Sequence, residues 1–182
     1  MYNKIIFIGF MGTGKSSVGS RLAAKLNWEF VDMDREIETI NGMSVSDIFR
    51  RYGERRFRSE EALLAKKLAA RERLVVATGG GVVLEPENIE IFRPHSLIVL
   101  LEAKPDDIWA RVNRKKGTRP LLKGATSAGD IENLLAERAE YYDCADIRID
   151  TSDRELESII NEITSKIHQF ENPGRGDQSS VQ

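Results

Sequence analysis

Short apolar segments alternate with longer amphipathic segments along this chain. The apolar segments are mostly β-branched or aromatic and are bounded by polar or turn residues, which is typical of buried strands. They predict five strands at 4–8, 29–33, 74–78, 96–102 and 147–150. The segments between them predict helices at about 15–26, 35–40, 45–51, 59–71, 86–92, 105–114, 128–143 and 153–170.

This alternation predicts an α/β fold, with a central parallel sheet of about five strands and helices on both faces. The last helix supports it, because its apolar side chains recur at helical spacing: Leu156, Ile159, Ile160, Ile163, Ile167 and Phe170. We expect a single domain over residues 1–170. In such folds ligands bind at the carboxyl ends of the strands.

Composition narrows the class of protein. The chain has 182 residues, of which 41% are hydrophobic and 31% charged, so a folded domain is expected. The net charge of −2 gives no reason to expect nucleic-acid binding, which usually needs a basic surface. Cys144 is the single cysteine, which excludes an intrachain disulfide. No apolar run reaches membrane-spanning length and no signal-peptide layout is present. We therefore expect a cytoplasmic protein, most simply a monomer.

Residues 9–16 read Gly-Phe-Met-Gly-Thr-Gly-Lys-Ser and match the pattern G-x-x-x-x-G-K-[ST] at every fixed position. A strand enters this segment and a helix leaves it, as a phosphate-binding loop requires. Lys15 would reach the outer phosphates of a nucleotide, and the hydroxyl of Ser16 would ligate Mg²⁺. The candidate nucleotide-binding residues of the loop are Gly12, Thr13, Gly14, Lys15, Ser16 and Ser17.

Two acids, Asp32 and Asp34, end the second predicted strand. Residues two apart on a strand face the same way, so both would point toward the phosphate loop. Asp32 is the candidate for a metal carboxylate beside Ser16. Asp34 would then be free to accept a proton from a substrate hydroxyl. The alternative is that one of them is a helix N-cap and the other is solvated.

Glycines and arginines complete the candidate site. The triplet Gly79–Gly81 follows the third predicted strand and would let the backbone approach a ligand closely, or form a tight turn. Arg58 and Arg138 are candidates for binding an acidic substrate, since planar guanidinium groups fit carboxylates. Either could instead be an ordinary salt-bridge residue. Arg119 lies in a basic loop and could stabilise charge on a transferring phosphoryl group.

Three segments fall outside the simple alternation. Residues 35–61 hold several short helices where one crossover would suffice, and we expect a substrate-binding segment there. Residues 114–127 are basic and contain Gly, Ser and Thr, which suggests a mobile lid. Either could also be a plain surface connection. Residues 171–182 have no apolar period and are predicted to be disordered.

In its ordered motifs the chain resembles shikimate kinases from about residue 3 to residue 165. The shared motifs are Gly9–Ser16, Asp32-Met33-Asp34, Phe57-Arg58-Ser59-Glu60-Glu61, Thr78-Gly79-Gly80-Gly81, Arg119-Pro120-Leu121-Leu122 and Glu137-Arg138 followed by Tyr141. The resemblance implies a P-loop three-layer sandwich of the nucleoside-monophosphate-kinase type. It implies transfer of the ATP γ-phosphate to the 3-hydroxyl of shikimate, with Mg²⁺, in chorismate and aromatic amino-acid biosynthesis.

The resemblance also implies roles for individual residues. Those matching shikimate-binding positions are Asp34, Arg58, Gly80, Gly81 and Arg138, and those matching nucleotide, Mg²⁺ and lid positions are Lys15, Ser16 and Arg119. An arginine that packs on adenine falls at Arg111 or Arg114.

Two other functions stay open at this point. One is a related kinase that acts on gluconate or on a nucleotide, although no base pocket for a nucleotide acceptor is evident. The other is a nucleotide-binding module that phosphorylates no small molecule, which would leave Asp34, Arg58 and Arg138 without a shared purpose.

Overall fold

The computed structural model describes residues 2–114, 125 and 127–171. Its five strands form one parallel sheet in the order β2-β3-β1-β4-β5. The strands are β1 (Lys4–Ile8), β2 (Glu29–Asp32), β3 (Leu74–Ala77), β4 (Ser96–Glu102) and β5 (Ile147–Asp150). The predicted α/β fold is confirmed.

Helices cover both faces of the sheet because successive side chains of a buried strand point to opposite sides. The helices are α1 (Lys15–Leu26), α2 (Met33–Asn41), α3 (Val45–Ala69), α4 (Pro86–Phe92), α5 (Pro105–Arg114), α6 (Ala128–Ala136) and α7 (Leu156–Glu171). In β1, Ile6 and Ile8 pack in the cluster that includes α3 and α4. Ile5 and Phe7 pack in the opposite cluster, which includes α1 and α7. The result is a three-layer sandwich.

Several predicted boundaries differ from the structure, and four of the differences have a local reason. Strand β2 ends at Asp32 rather than residue 33, because Asp32 caps a helix that begins at Met33. The two helices predicted at 45–51 and 59–71 are both present in α3, where non-helical backbone at Gly53 divides them, but the second begins directly after Gly53 and ends at Ala69. Helix α7 starts at Leu156 rather than at residue 153, because Asp153 has a φ of 50°.

The fourth error concerns the helix predicted at 128–143. Helix α6 ends at Ala136, and a 3₁₀ segment follows from Ala139 to Cys144. Ile131 and Leu134 of α6 pack with Phe10 and α5, whereas Tyr142 packs in the sheet cluster. The chain has to change direction between these two clusters.

Part of the predicted organisation lies outside the described residues: Arg119, most of the proposed lid at 114–127, and residues 172–182 of the proposed tail. Glu171, the first residue of that tail, belongs to α7. Within the described ranges, no helix is long and apolar enough to cross a membrane.

Gly9 should be indispensable to this fold, because β1 leaves the sheet there against the backbone of β4. Its φ is 138°, and a Cβ at this position would lie 2.3 Å from the carbonyl oxygen of Leu101. Relieving the clash would require the backbone of β1 or β4 to move within the sheet, so Gly9→Ala should cost at least about 2 kcal/mol of stability. For a domain of this size, thermal unfolding should then show a fall in Tm of roughly 4–8 °C or more.

Gly129→Ala is the matched control. A Cβ there would make only an ordinary contact with the Ser127 hydroxyl at 3.7 Å, and alanine favours the helix. Its Tm should be unchanged or higher. An unchanged Tm for Gly9→Ala would contradict the packing described here.

Candidate active site

The phosphate-loop motif forms the turn between β1 and α1, at the carboxyl end of the central strand of the sheet. Gly14 has a φ of 97° and caps α1 with no side-chain bond, so the first amides of the helix face outward from the loop. Such a helix N-terminus attracts anions through its free N–H groups and its dipole.

Lys15 is buried against this loop, with only 8% of its surface exposed. Its ammonium donates to the carbonyl oxygens of Gly9 at 2.7 Å and Phe10 at 2.8 Å. The positive charge is therefore held across the mouth of the loop rather than in solvent. Thr13 is also buried, and its hydroxyl donates to the Phe10 carbonyl at 2.8 Å.

Ser16 and Asp32 meet at the start of α1. The Ser16 hydroxyl donates to Oδ2 of Asp32 at 2.5 Å, while Oδ1 of Asp32 accepts from the backbone N–H of Arg35 at 3.3 Å. Asp32 is thus both the cap of α2 and the partner of Ser16. The two alternatives considered for this acid are not exclusive.

Asp34 lies in the first turn of α2, so it does not share a strand face with Asp32 as predicted. The turn of the helix nevertheless keeps it beside the loop, where both acids line the same cleft. Burial raises the pKa of the Asp34 carboxyl to about 6, and the nearby Asp32 adds to the rise. Lys15 and Arg58 oppose it, since positive charges favour the ionised form.

Gly79, Gly80 and Gly81 follow β3 and are buried beside these groups. A Cβ on Gly79 would lie 2.5 Å from Oε1 of Glu61 and 2.8 Å from Oδ1 of Asp34. A Cβ on Gly81 would lie 2.5 Å from Nη2 of Arg58. The triplet is therefore a close approach between backbone and charged side chains. Its close approach to a ligand stays a prediction.

Glu61 is a member of this cluster that the sequence reasoning did not single out. It is fully buried, its Oε2 accepts from Nη1 of Arg58, and its Oε1 is one of the few buried polar atoms of the described chain with no hydrogen-bond partner. Burial raises its pKa to about 7, despite the lowering effect of Arg58. A signal was present: Glu61 falls in register with Phe57, Leu64 and Leu68 on the buried side of α3.

The two candidate substrate arginines flank the glycine triplet. Arg58 pairs with Glu61 and, at 3.0 Å, with Glu54. Arg138 is 4% exposed and donates from Nη1 to the Gly80 carbonyl at 3.0 Å, with its guanidinium 4.9 Å from the centre of the Phe10 ring. Arg138 follows α6, so it does not lie within a helix as the predicted helix at 128–143 implied.

Of the two candidate adenine arginines, Arg111 is the one that contacts the phosphate loop. Its Nη1 donates to the Gly12 carbonyl at 3.3 Å, and it lines the cleft. Arg114 is exposed at the end of α5.

One cleft of about 820 Å³ unites most of these residues. Its lining includes Gly12, Gly14, Lys15, Ser16, Ser17, Asp32, Asp34, Gly80 and Arg111. Thr13, Arg58, Gly81 and Arg138 are described but do not line this cleft. Arg119 lies outside the described residues.

The phosphate loop lies at the centre of a parallel sheet, and the Asp34 carboxylate lines the same cleft as Lys15. This fold and site define a P-loop kinase that acts on a small molecule.

The comparisons with known proteins identify the family. The sequence matches the shikimate kinase family over residues 11–168. A shikimate kinase from Pelotomaculum thermopropionicum is 48% identical, over 87% of this chain and 92% of its own length. One from Desulforudis audaxviator is 53% identical, over 86% of this chain and 82% of its own length. The chain belongs to the shikimate kinase family.

Solved structures agree. A shikimate kinase from Acinetobacter baumannii, in complex with shikimate, superposes with a TM-score of 0.87 at 32% identity, over 94% of this chain and 96% of that chain. A gluconokinase from Sinorhizobium meliloti has a TM-score of 0.56 at 18% identity, which shows a shared fold and nothing more.

The electrostatics of the acidic pair can be measured directly. In a ¹³C NMR titration of side-chain carboxyls, Asp34 should titrate near pH 6 and Glu61 near pH 7. Removing the like charge in Asp34→Asn should lower the pKa of Glu61, whereas removing the cation in Arg58→Gln should raise it. Titration of both carboxyls near pH 4 in the wild type would contradict this description of the site.

Proposed function

We propose that this enzyme transfers the γ-phosphate of ATP to the 3-hydroxyl of shikimate, giving shikimate 3-phosphate and ADP in the route to chorismate and the aromatic amino acids. One observation carries the proposal: the Asp34 carboxyl faces the phosphate-loop cleft with the Gly79–Gly81 triplet and its arginine immediately beside it. An acceptor hydroxyl, an acidic substrate and a phosphate donor can meet there.

In this proposal the phosphate loop binds ATP. The backbone from Gly12 to Ser17 surrounds the phosphates, and Thr13 contributes only its main chain because its hydroxyl is committed to Phe10. Lys15 would exchange its carbonyl partners for the outer phosphate oxygens. Arg111 is the better candidate to pack on adenine, since it lines the cleft and Arg114 does not.

Ser16 and Asp32 are the residues that would hold Mg²⁺. Their oxygens are 2.5 Å apart at the edge of the cleft, and a hydroxyl with one carboxylate is a donor set that suits a cation which keeps most of its waters. Among the described residues no three His, Cys, Asp or Glu side chains cluster as a metal cage, so a mostly hydrated ion fits best. When bound, the ion would neutralise charge on the β- and γ-phosphates.

Asp34 is the proposed general base. A carboxyl with a pKa near 6 is ionised at neutral pH yet basic enough to accept the hydroxyl proton as the new O–P bond forms. The proton moves to Asp34, the phosphoryl group moves to the substrate oxygen, and ADP departs with the electrons of the broken bond.

Arg58 and Arg138, with Gly80 and Gly81, would bind the shikimate carboxylate and ring. Both guanidinium groups are fixed in place beforehand, Arg58 by Glu54 and Glu61 and Arg138 by the Gly80 carbonyl. Such preorganisation reduces the side-chain entropy that is lost when the substrate binds. We also propose that residues 35–61 form the substrate-binding segment and 114–127 the lid, from which Arg119 would stabilise the transferring phosphoryl group.

We further propose that the enzyme works as a cytoplasmic monomer without nucleic-acid or membrane partners. The net charge of −2 and the lack of a spanning helix in the described ranges support this.

A substrate panel tests the function. With ATP and Mg²⁺, a coupled assay of ADP release should show turnover with shikimate and background rates with gluconate and nucleoside monophosphates. Asp34→Asn keeps the shape of the side chain and removes the base, so kcat with shikimate should fall roughly a hundredfold or more.

ATP affinity of the same variant serves as the control, and it should change little. Turnover with gluconate but not shikimate would overturn the substrate assignment. Full activity in Asp34→Asn would overturn the role of the base alone.

A further inference from the structure

Thr151 lies directly after β5, 2% exposed, at a junction of four parts of the fold. Its hydroxyl is 3.0 Å from the carbonyl oxygen of Thr13 in the phosphate loop and 3.0 Å from that of Glu102 at the end of β4. Arg111 donates to the same hydroxyl at 3.1 Å and to the Thr151 carbonyl at 2.8 Å. A single buried side chain thus joins β4, β5, α5 and the loop.

The Thr151 hydroxyl has one proton to donate, and the Glu102 carbonyl already accepts from the backbone N–H of Thr151, so we assign the proton to the Thr13 carbonyl. That bond controls the direction of a peptide group. In a planar trans peptide the C=O and the following N–H point in opposite directions. Holding the Thr13 carbonyl toward Thr151 therefore turns the N–H of Gly14 away from Thr151. Gly14 lines the cleft and Thr151 does not. The hydroxyl acts on the side of the loop that is remote from the ligand.

Gly14 needs this restraint more than an ordinary residue would. Its φ of 97° belongs to a region that only glycine enters freely, and glycine loses more conformational freedom on being fixed than other residues do. Without an external partner, the Thr13–Gly14 peptide could rotate and present an oxygen to the phosphates. A carbonyl oxygen facing a phosphate is repulsive, whereas an N–H stabilises it.

We propose that Thr151 is a positioning residue for the phosphate loop, holding the Thr13–Gly14 peptide with its N–H toward the phosphates of ATP. It touches no substrate, and it acts through the Thr13 carbonyl. Arg111 supports it from the other side by bonding both Thr151 and the Gly12 carbonyl, which links the proposed adenine side of the cleft to the loop. The inference rests on the proposed ATP site.

A purely structural role is the competing explanation, and the hydrogen bonds separate the two. The backbone N–H of Thr151 donates to the Glu102 carbonyl at 2.9 Å, so the β4–β5 junction keeps a bond when the hydroxyl is removed. The Thr13 carbonyl has no such substitute from Thr151. Loss of the hydroxyl should therefore affect the loop more than the sheet.

Thr151→Val and Thr151→Ser form a matched pair, because valine keeps the shape and serine keeps the hydroxyl. We expect Thr151→Val to weaken ATP binding about two- to tenfold, the range for one neutral hydrogen bond, and Thr151→Ser to restore it. Shikimate affinity should stay within about twofold for both variants, since the hydrogen bonds of the hydroxyl go to Thr13, Glu102 and Arg111 and not to the candidate substrate arginines. Calorimetric titration with ATP and, separately, with shikimate measures both quantities, and thermal unfolding measures Tm.

Wild-type ATP affinity in Thr151→Val would overturn the inference and leave the proposed function intact. Equal losses of ATP and shikimate affinity, or a serine variant as weak as the valine variant, would also overturn it. If Thr151→Val does not fold, Thr151→Ala carries the same comparison, and failure of both to fold would make Thr151 a structural residue only. A wild-type chain that does not bind ATP would instead refute the proposed function on which the inference rests.

Discussion

The close approach of charged side chains to the Gly79–Gly81 backbone is the constraint on which the site depends. A Cβ on Gly79 would collide with both Asp34 and Glu61, and one on Gly81 would collide with Arg58. Because the triplet follows β3, next to the strand that carries the phosphate loop, it brings these groups to the carboxyl edge of the sheet. Parallel pairing of β1 and β3 thus places the phosphate loop beside the triplet and its charged side chains.

Charge balance explains why this arrangement can be buried. Two carboxyls close together in a protein interior would be costly if both were ionised without a counter-charge. Arg58 supplies one positive charge to Glu61, and Lys15 favours the ionised form of Asp34 from the loop side. The pKa values of Asp34 and Glu61 stay raised because these positive charges only partly offset the effect of burial. A carboxyl with a pKa near neutrality and a fixed arginine are then consequences of the same packing.

Sequence patterns could predict the sheet and the loop because both depend on local signals. The strands are continuous apolar runs, and the phosphate loop has fixed residues at fixed spacing. The path of the chain around Arg138 was not predictable in this way. It depends on Leu134 packing with Phe10 and α5 while Tyr142 packs against the sheet. Thr151 was missed for a related reason, because its partner Thr13 lies far away along the chain. Glu61 had a local signal on the buried side of α3, but its contact with Gly79 could not be inferred from that signal. Asp32 both caps α2 and accepts from Ser16, and this could be predicted only by knowing that α2 begins at Met33.

The most direct measurement of the central claim is the affinity of Gly81→Ala for shikimate by calorimetric titration, with Gly129→Ala as the control. The atoms nearest to the new Cβ belong to the end of the Arg58 side chain, so the fold should persist while the guanidinium moves. We expect a loss of shikimate affinity of about tenfold or more, the scale of one charged hydrogen bond, with ATP affinity retained. Unchanged shikimate affinity in Gly81→Ala would show that the position of Arg58 does not depend on the glycine backbone. It would contradict the claim that the site depends on this close approach.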